Sequence, residues 1–156
     1  MNMANRAVIV ERVGEYSPEV AEGIGRLMPD LSERLSAEPI DEQILRDIID
    51  SPDREQLIAR MHGRIVGAAT LNTLLGPAAG RKAWLEDFVV SSDESVRGTG
   101  VGYLIWQELI SWCQEQGKPL NFSSHPSRER AHEFYLRNGA EIRETTVFTV
   151  PLPVTE

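Results

Sequence analysis

The chain has 156 residues and a mass of 17.4 kDa, which is room for one domain with one core and too little for two ordinary ones. Hydrophobic residues at 41% and charged residues at 26% are the mixture of a globular protein and exclude a disordered or collagen-like chain. With 16 Lys and Arg against 24 Asp and Glu, the net charge of −8 has the wrong sign for gathering phosphate backbones; it excludes nucleic acid as a partner and mildly favours cationic ligands such as amines.

No run approaches the roughly 20 apolar residues of a spanning helix, and residues 1–6 have neither a charged lead nor an apolar stretch of signal-peptide type. A single cytoplasmic domain over residues 1–156, with no membrane partner, is the expectation. The one cysteine, Cys113, excludes an internal disulfide and falls in an apolar helical pattern, as a small buried hydrophobe rather than a nucleophile. Three scattered histidines give no metal-ligand spacing, so no metal is expected.

In chain order, residues 7–10 form a short β-rich run, and Ser17 with Pro18 reads as a helix cap followed by a first-turn proline. That helix is predicted to run to about Leu27, because Pro29 should stop it. A second helix starts near Asp41 and carries Ile44, Leu45, Ile48 and Ile49 on one face. Two β-rich runs separated by His62-Gly63 predict a hairpin, with His62 as a turn residue, and residues 76–80 form a loop.

Residues 84–90 read as a central strand, apolar but for Glu86 and Asp87. A glycine-rich turn at 97–102 leads into a broad helical face of Val101, Leu104, Ile105, Leu109, Trp112 and Cys113, closed by Gly117 and Pro119. Residues 120–123 read as a short strand. Ser127 can cap a last helix bearing Ala131, Phe134 and Tyr135, with Gly139 beyond its end, and 145–150 is a final β-rich run. The order is that of a mixed α/β (α+β) sheet with helices on its faces. In the βαβ-like unit from residue 84 to 123, a ligand site belongs at the carboxyl end of the strands, where the glycines lie.

In Arg97-Gly98-Thr99-Gly100-Val101-Gly102 glycines alternate just ahead of a helix. One reading is a tight strand-to-helix turn. The other is a cradle of backbone N–H groups at a helix N-terminus, able to hold a diphosphate without lysine or metal. No Gly-Lys-Ser/Thr follows, so this is not a P-loop, and the third glycine comes one residue too early for the dinucleotide fingerprint.

Arg97, Gly100 and Gly102 match the central signature of the GNAT superfamily of acetyl-coenzyme A-dependent N-acetyltransferases: Arg or Gln, two residues, Gly, one residue, then Gly or Ala. The preceding strand Leu85-Glu86-Asp87-Phe88-Val89-Val90 and the later Ala131-His132-Glu133-Phe134-Tyr135-Leu136-Arg137-Asn138-Gly139 also resemble that family, in the same order. The resemblance covers residues 7–150 and is strongest over 84–139. It implies a mostly antiparallel mixed sheet of about six to seven strands, helices on both faces, and a splayed V between two central strands. The pantetheine arm of acetyl-coenzyme A would lie along Phe88, Val89 and Val90, and the diphosphate on Arg97, Gly98, Thr99, Gly100, Val101 and Gly102. Arg128 stands where many members carry an asparagine, and could pair with a coenzyme A phosphate.

The implied reaction is direct transfer to a primary amine in a ternary complex, with the thioester held beside the amine and a strand N–H near Phe88 or Val89 polarising its carbonyl. A neutral amine needs a base, and alternation along a strand forbids Glu86 and Asp87 from sharing one cleft. Glu86, acting directly or through water, is the expected base, with Asp87 the alternative. Tyr135 matches the tyrosine that protonates the departing thiolate in the family; without that match it would read as part of the apolar helix face. His132 and His125 are not assigned roles. The acceptor is a small-molecule or peptide amine of open identity, and a homodimer is compatible with the sequence. The rival function is a non-catalytic acyl-coenzyme A sensor with the same phosphate loop.

Overall fold

Ser17 opens the first helix as its side-chain oxygen accepts the Val20 N–H at 3.2 Å, with Pro18 next, where its missing donor is harmless. The computed structural model describes residues 7–153, so the reading of residues 1–6 lies outside the described residues. The elements are β1 Val8–Arg12, α1 Pro18–Leu31, α2 Glu42–Ile49, β2 Arg54–Met61, β3 Arg64–Gly76, β4 Gly80–Val90, α3 Val101–Gln116, β5 Leu120–Asn121 and α4 Glu129–Arg137. The chain divides into two compact units, one ending at Phe122 and the other starting at Ser123.

In the first unit the five strands lie in the order β1-β2-β3-β4-β5, antiparallel throughout except for the parallel β4–β5 pair. His62 (φ 52°) and Gly63 (φ 78°) both take left-handed conformations, which matches the right-handed twist of the β2–β3 hairpin they join. One sheet face packs Ile58, Ile65, Ala68 and Val89 against Val20, Ile24 and Leu27 of α1 and Leu45 of α2. On the other face a Cβ at Gly67 would sit 2.6 Å from the Ile105 side chain of α3, so that helix approaches β3 where only a hydrogen fits. Burial of each such Leu or Ile contributes roughly 1.5–3 kcal/mol, which holds helices to both faces of the sheet.

Several expectations are corrected here. Helix α1 continues through Pro29 to Leu31, because a proline in the last turn removes only one hydrogen bond and Ser32 N–H still closes on Met28 O at 3.1 Å. On α2 the expected apolar face is uneven: Leu45 is buried and Ile44 exposed. The sheet has five strands rather than six to seven among the described residues. Residues 145–150 are not a strand, and Val147, Phe148 and Val150 are exposed; the second unit holds no strand among its described residues for them to pair with. β5 stops at Asn121 instead of residue 123, because its ladder with β4 ends there.

In the second unit Ser127 does not cap α4. Its hydroxyl lies 2.7 Å from His125 Nδ1 and its N–H donates to the same nitrogen at 3.1 Å, so the cap position falls to Arg128, which offers no side-chain bond. At the other end Gly139 (φ 97°) follows the helix, Ala140 N–H donates to Tyr135 O at 2.9 Å and Gly139 N–H to Leu136 O at 3.3 Å, a Schellman closure.

Candidate active site

Strand β4 breaks its own alternation. Glu86 pairs with Thr70 and Val89 with Ala68, so Asp87 and Phe88 together oppose the single residue Ala69, and Asp87 takes a left-handed φ of 50°. This is a β-bulge, which re-aims the side chains on either side of it. The interruption falls between Asp87 and Phe88, and of the two acids Glu86 and Asp87 only Asp87 lines the cavity on the α1–α2 face of the sheet. Glu86 is exposed and accepts the Trp84 indole N–H at 2.8 Å. Asp87 lines a cavity of about 340 Å³. Its accessible carboxyl is raised above the ordinary value, first by burial of its surroundings and then by the negative charge of Glu86.

That cavity lies on the α1–α2 face of the sheet. Ile24 and Met28 of α1 and Leu45 of α2 give it apolar walls, and Gln56, Thr70 and Asp87 are its polar residues on the strands. The segment between the two helices adds Glu38 and Asp41. This segment rests on α1 at Gly25, where a Cβ would overlap the Glu38 carbonyl oxygen, and Ile40 N–H donates to Ala21 O at 3.1 Å. Sequence reasoning passed over Gln56 and Thr70; the available signal was a glutamine opening the apolar run Leu57-Ile58-Ala59.

On its other edge β4 shares only a short parallel ladder with β5 among the described residues. Only Ala83 and Trp84 pair with β5, through Leu120 and Asn121, and beyond Trp84 the two strands no longer pair. Phe88, Val89 and Val90 follow on this stretch, with Val89 buried and its neighbours half-buried.

Past β4, Asp93 accepts both the N–H and the hydroxyl of Ser95, at 2.9 and 2.8 Å; its pKa lies below the ordinary value, chiefly because of the backbone bond. Val96 is buried and Arg97 exposed. Thr99 turns its N–H and its hydroxyl onto Val96 O. Gly98 (φ 75°) and Gly100 (φ 83°) hold left-handed conformations, and a Cβ at Gly98 would meet open space. Gly100 caps α3 without any side-chain bond, and the first helical bond runs from Leu104 N–H to Gly100 O at 3.0 Å. The first-turn N–H groups of Val101, Gly102 and Tyr103 thus precede any helical acceptor, at the positive end of the helix dipole. This bare, glycine-lined helix start suits the diphosphate of acetyl-coenzyme A.

Within the second unit Tyr135 is buried, its ring edge-on to Phe134 at 5.9 Å. Burial raises its pKa, against the opposing charge of Arg128. Among the described residues, His132 Nε2 is buried without a hydrogen-bond partner. In the first unit the Cys113 thiol is buried and pushed up to about 11, chiefly by desolvation, which makes it an inert core group.

Residues 24–140 match the Acetyltransferase (GNAT) family. The chain belongs to that family. Among curated proteins, this GNAT chain is 33% identical over 132 residues to a mycothiol acetyltransferase of Actinosynnema mirum. The match covers 83% of the chain but only 43% of that relative, so the chain spans less than half the relative's length. Solved structures share the fold. An aminoglycoside acetyltransferase from an uncultured soil metagenomic sample superposes with a TM-score of 0.81 at 18% identity, over 96% of this chain and 99% of that one. A transcriptional regulator from Bacillus halodurans gives 0.79 at 18%, over 92% and 99%. A ribosomal-protein-alanine N-acetyltransferase from Brucella melitensis gives 0.71 at 18%, over 94% and 99%. The signature residues Arg97, Gly100 and Gly102 fall inside the matched range. No helix of the described residues is long and apolar enough to cross a membrane.

Proposed function

We propose that this GNAT chain transfers an acetyl group from acetyl-coenzyme A to a primary amine by direct attack in a ternary complex. The observation that carries the reading is the bulge at Asp87, which accompanies a carboxylate on the cavity wall. A sensor of the cosubstrate needs no such carboxylate.

The cosubstrate supplies an acetyl group activated as a thioester. The N–H groups of Val101, Gly102 and Tyr103, with Gly98 and Gly100 keeping side chains out of the way, hold its diphosphate; Arg97 and Thr99 complete the loop. Backbone along Phe88, Val89 and Val90 holds its arm, and an N–H there polarises the carbonyl. Asp87, in place of the first-expected Glu86, removes a proton from the amine. The nitrogen forms the new C–N bond as the C–S bond breaks, and Tyr135 gives its proton to the departing thiolate, the role the family resemblance assigns it. Arg128 is a further candidate for a coenzyme A phosphate. Positioning of amine and thioester on one strand supplies the entropic part of the acceleration.

Free-thiol detection with acetyl-coenzyme A and a panel of amines tests this reading. Thiol release that depends on an amine and yields its acetylated product supports it; coenzyme A binding without release from any amine would favour the sensor.

A further inference from the structure

The cavity beside Asp87 has a polar floor whose hydrogen-bonding capacity is almost fully determined. Gln56 and Thr70 face each other across β2 and β3 and are 3% and 8% exposed. The Gln56 amide nitrogen donates to Leu57 O at 3.1 Å and to Ala69 O at 3.2 Å. Two flanking carbonyls fix which end of the amide is nitrogen and use both of its N–H groups. The remaining end, Gln56 Oε1, accepts the Thr70 hydroxyl at 2.8 Å, which commits that proton too. What this pair has left to offer a ligand is lone pairs only, on Thr70 Oγ1 and Gln56 Oε1.

The rest of the lining is mostly of the same polarity, Ser36 being the exception with a hydroxyl that can also donate. Asp87 adds a carboxylate, Glu38 and Asp41 add two more, and no Lys, Arg or His is among the described residues that line the cavity. Asp41 already uses one oxygen to cap Ile44 N–H at 3.0 Å. A guest should therefore bring donors and preferably positive charge, because an anionic group on it would meet three carboxylates and no Lys, Arg or His among the described lining residues, with only the Ser36 hydroxyl as a side-chain donor. Between the polar floor and the acidic segment run the apolar walls of Ile24 and Met28, suited to a few methylene groups.

We propose that this cavity selects small cationic amines with an apolar body and no carboxylate, and that Gln56 and Thr70 determine that selectivity by presenting acceptors only. The proposal rests on the acetyl-transfer reading for taking the cavity as the acceptor site. It assigns Gln56 and Thr70 a role in choosing the amine, separate from the proton transfer at Asp87.

Cadaverine and lysine make the decisive pair, since they differ only by the carboxylate. Calorimetric titration of the full chain with each, alongside kcat/KM from thiol release, should favour cadaverine by about tenfold or more, the scale of leaving a charged group unpaired. Thr70→Val should raise the KM for cadaverine about tenfold through loss of an acceptor for a charged donor, leave the KM for acetyl-coenzyme A unchanged, and be reversed by Thr70→Ser. A purely structural role for Thr70 would shift both KM values together and would count against the proposal. Equal use of lysine and cadaverine would overturn it while leaving acetyl transfer intact. Calorimetric binding of cadaverine over lysine with no thiol release would do the opposite, supporting the selectivity and removing the transfer reading. Should Thr70→Val fail to fold, the wild-type comparison of the two ligands still decides.

Discussion

The indole N–H of Trp84 donates to the carboxylate of Glu86 at 2.8 Å, which ties the first acid of the β4 pair to a neighbour on its own strand and leaves Asp87 to the cavity. The two acids should therefore separate in kinetics. Asp87→Asn is expected to cut turnover on the order of 10²-fold, the usual contribution of a general base, with partial recovery at high pH as free amine accumulates. Glu86→Gln should fall far less. Pre-steady-state thiol release with both variants checks this, and the reverse order would return the role to Glu86.

Asp87 also predicts the acid limb of the pH profile. Its pKa lies above the ordinary carboxylate value, first through burial and then through the negative charge of Glu86. Activity should fall as pH drops through this raised value, since only the ionised form accepts a proton. Stability runs the other way. A carboxyl that binds its proton more tightly when folded favours folding most below its unfolded pKa, and that contribution is lost as pH rises through the folded value. Asp87→Asn should thus melt at or above the wild-type temperature at pH 7 and converge with it near pH 3, by a small margin because the group is solvent-accessible. Calorimetric melts across this range provide the measurement.

Gly100 sits at φ 83° as the cap of α3. Gly100→Val forces a branched residue into the left-handed region, at a stability cost of about 1–2 kcal/mol or more, and places a side chain in the proposed diphosphate site. Coenzyme A affinity should drop well beyond what the melting temperature reports, and chelator should leave wild-type binding unchanged. Titration calorimetry against thermal melts separates the two effects; equal losses would make the loop structural.

Tyr135 carries a raised pKa through burial, so its phenol stays protonated across the neutral and mildly alkaline range in which a thiolate must be neutralised. Tyr135→Phe should lower turnover about 10²-fold while coenzyme A affinity and folding persist. A matching loss of stability would return the residue to the apolar face of α4.

Local rules carried most of the layout from the sequence. Ser17-Pro18, Asp41, His62-Gly63, Gly117 and Gly139 all sit at helix or turn boundaries, because caps and left-handed turns depend on a few adjacent atoms. The misses depend on partners distant in the chain. Residues 145–150 have strand propensity but join no ladder among the described residues, and Ser127 met His125 before it could reach a helix N–H. The bulge at Asp87 has no marker of its own, since aspartate tolerates a positive φ without requiring one; only the register against Thr70 and Ala68 reveals it. Gln56 and Thr70 were silent for the same reason, as their pairing exists only once β2 and β3 align.

The wall of the cavity that carries Glu38 meets α1 at Gly25, a position with no side chain to spare. This makes the wall a short, separately editable stretch of surface chain, and β4 and the glycine-rich loop at 97–102 need not change with it. A lineage could thus retune the size of the accepted body by drift in residues 35–44, with Gln56 and Thr70 keeping their acceptors in place, provided Gly25 stays bare. Gly25→Ala would instead lift the whole stretch at once and reshape the cavity without altering any residue that lines it.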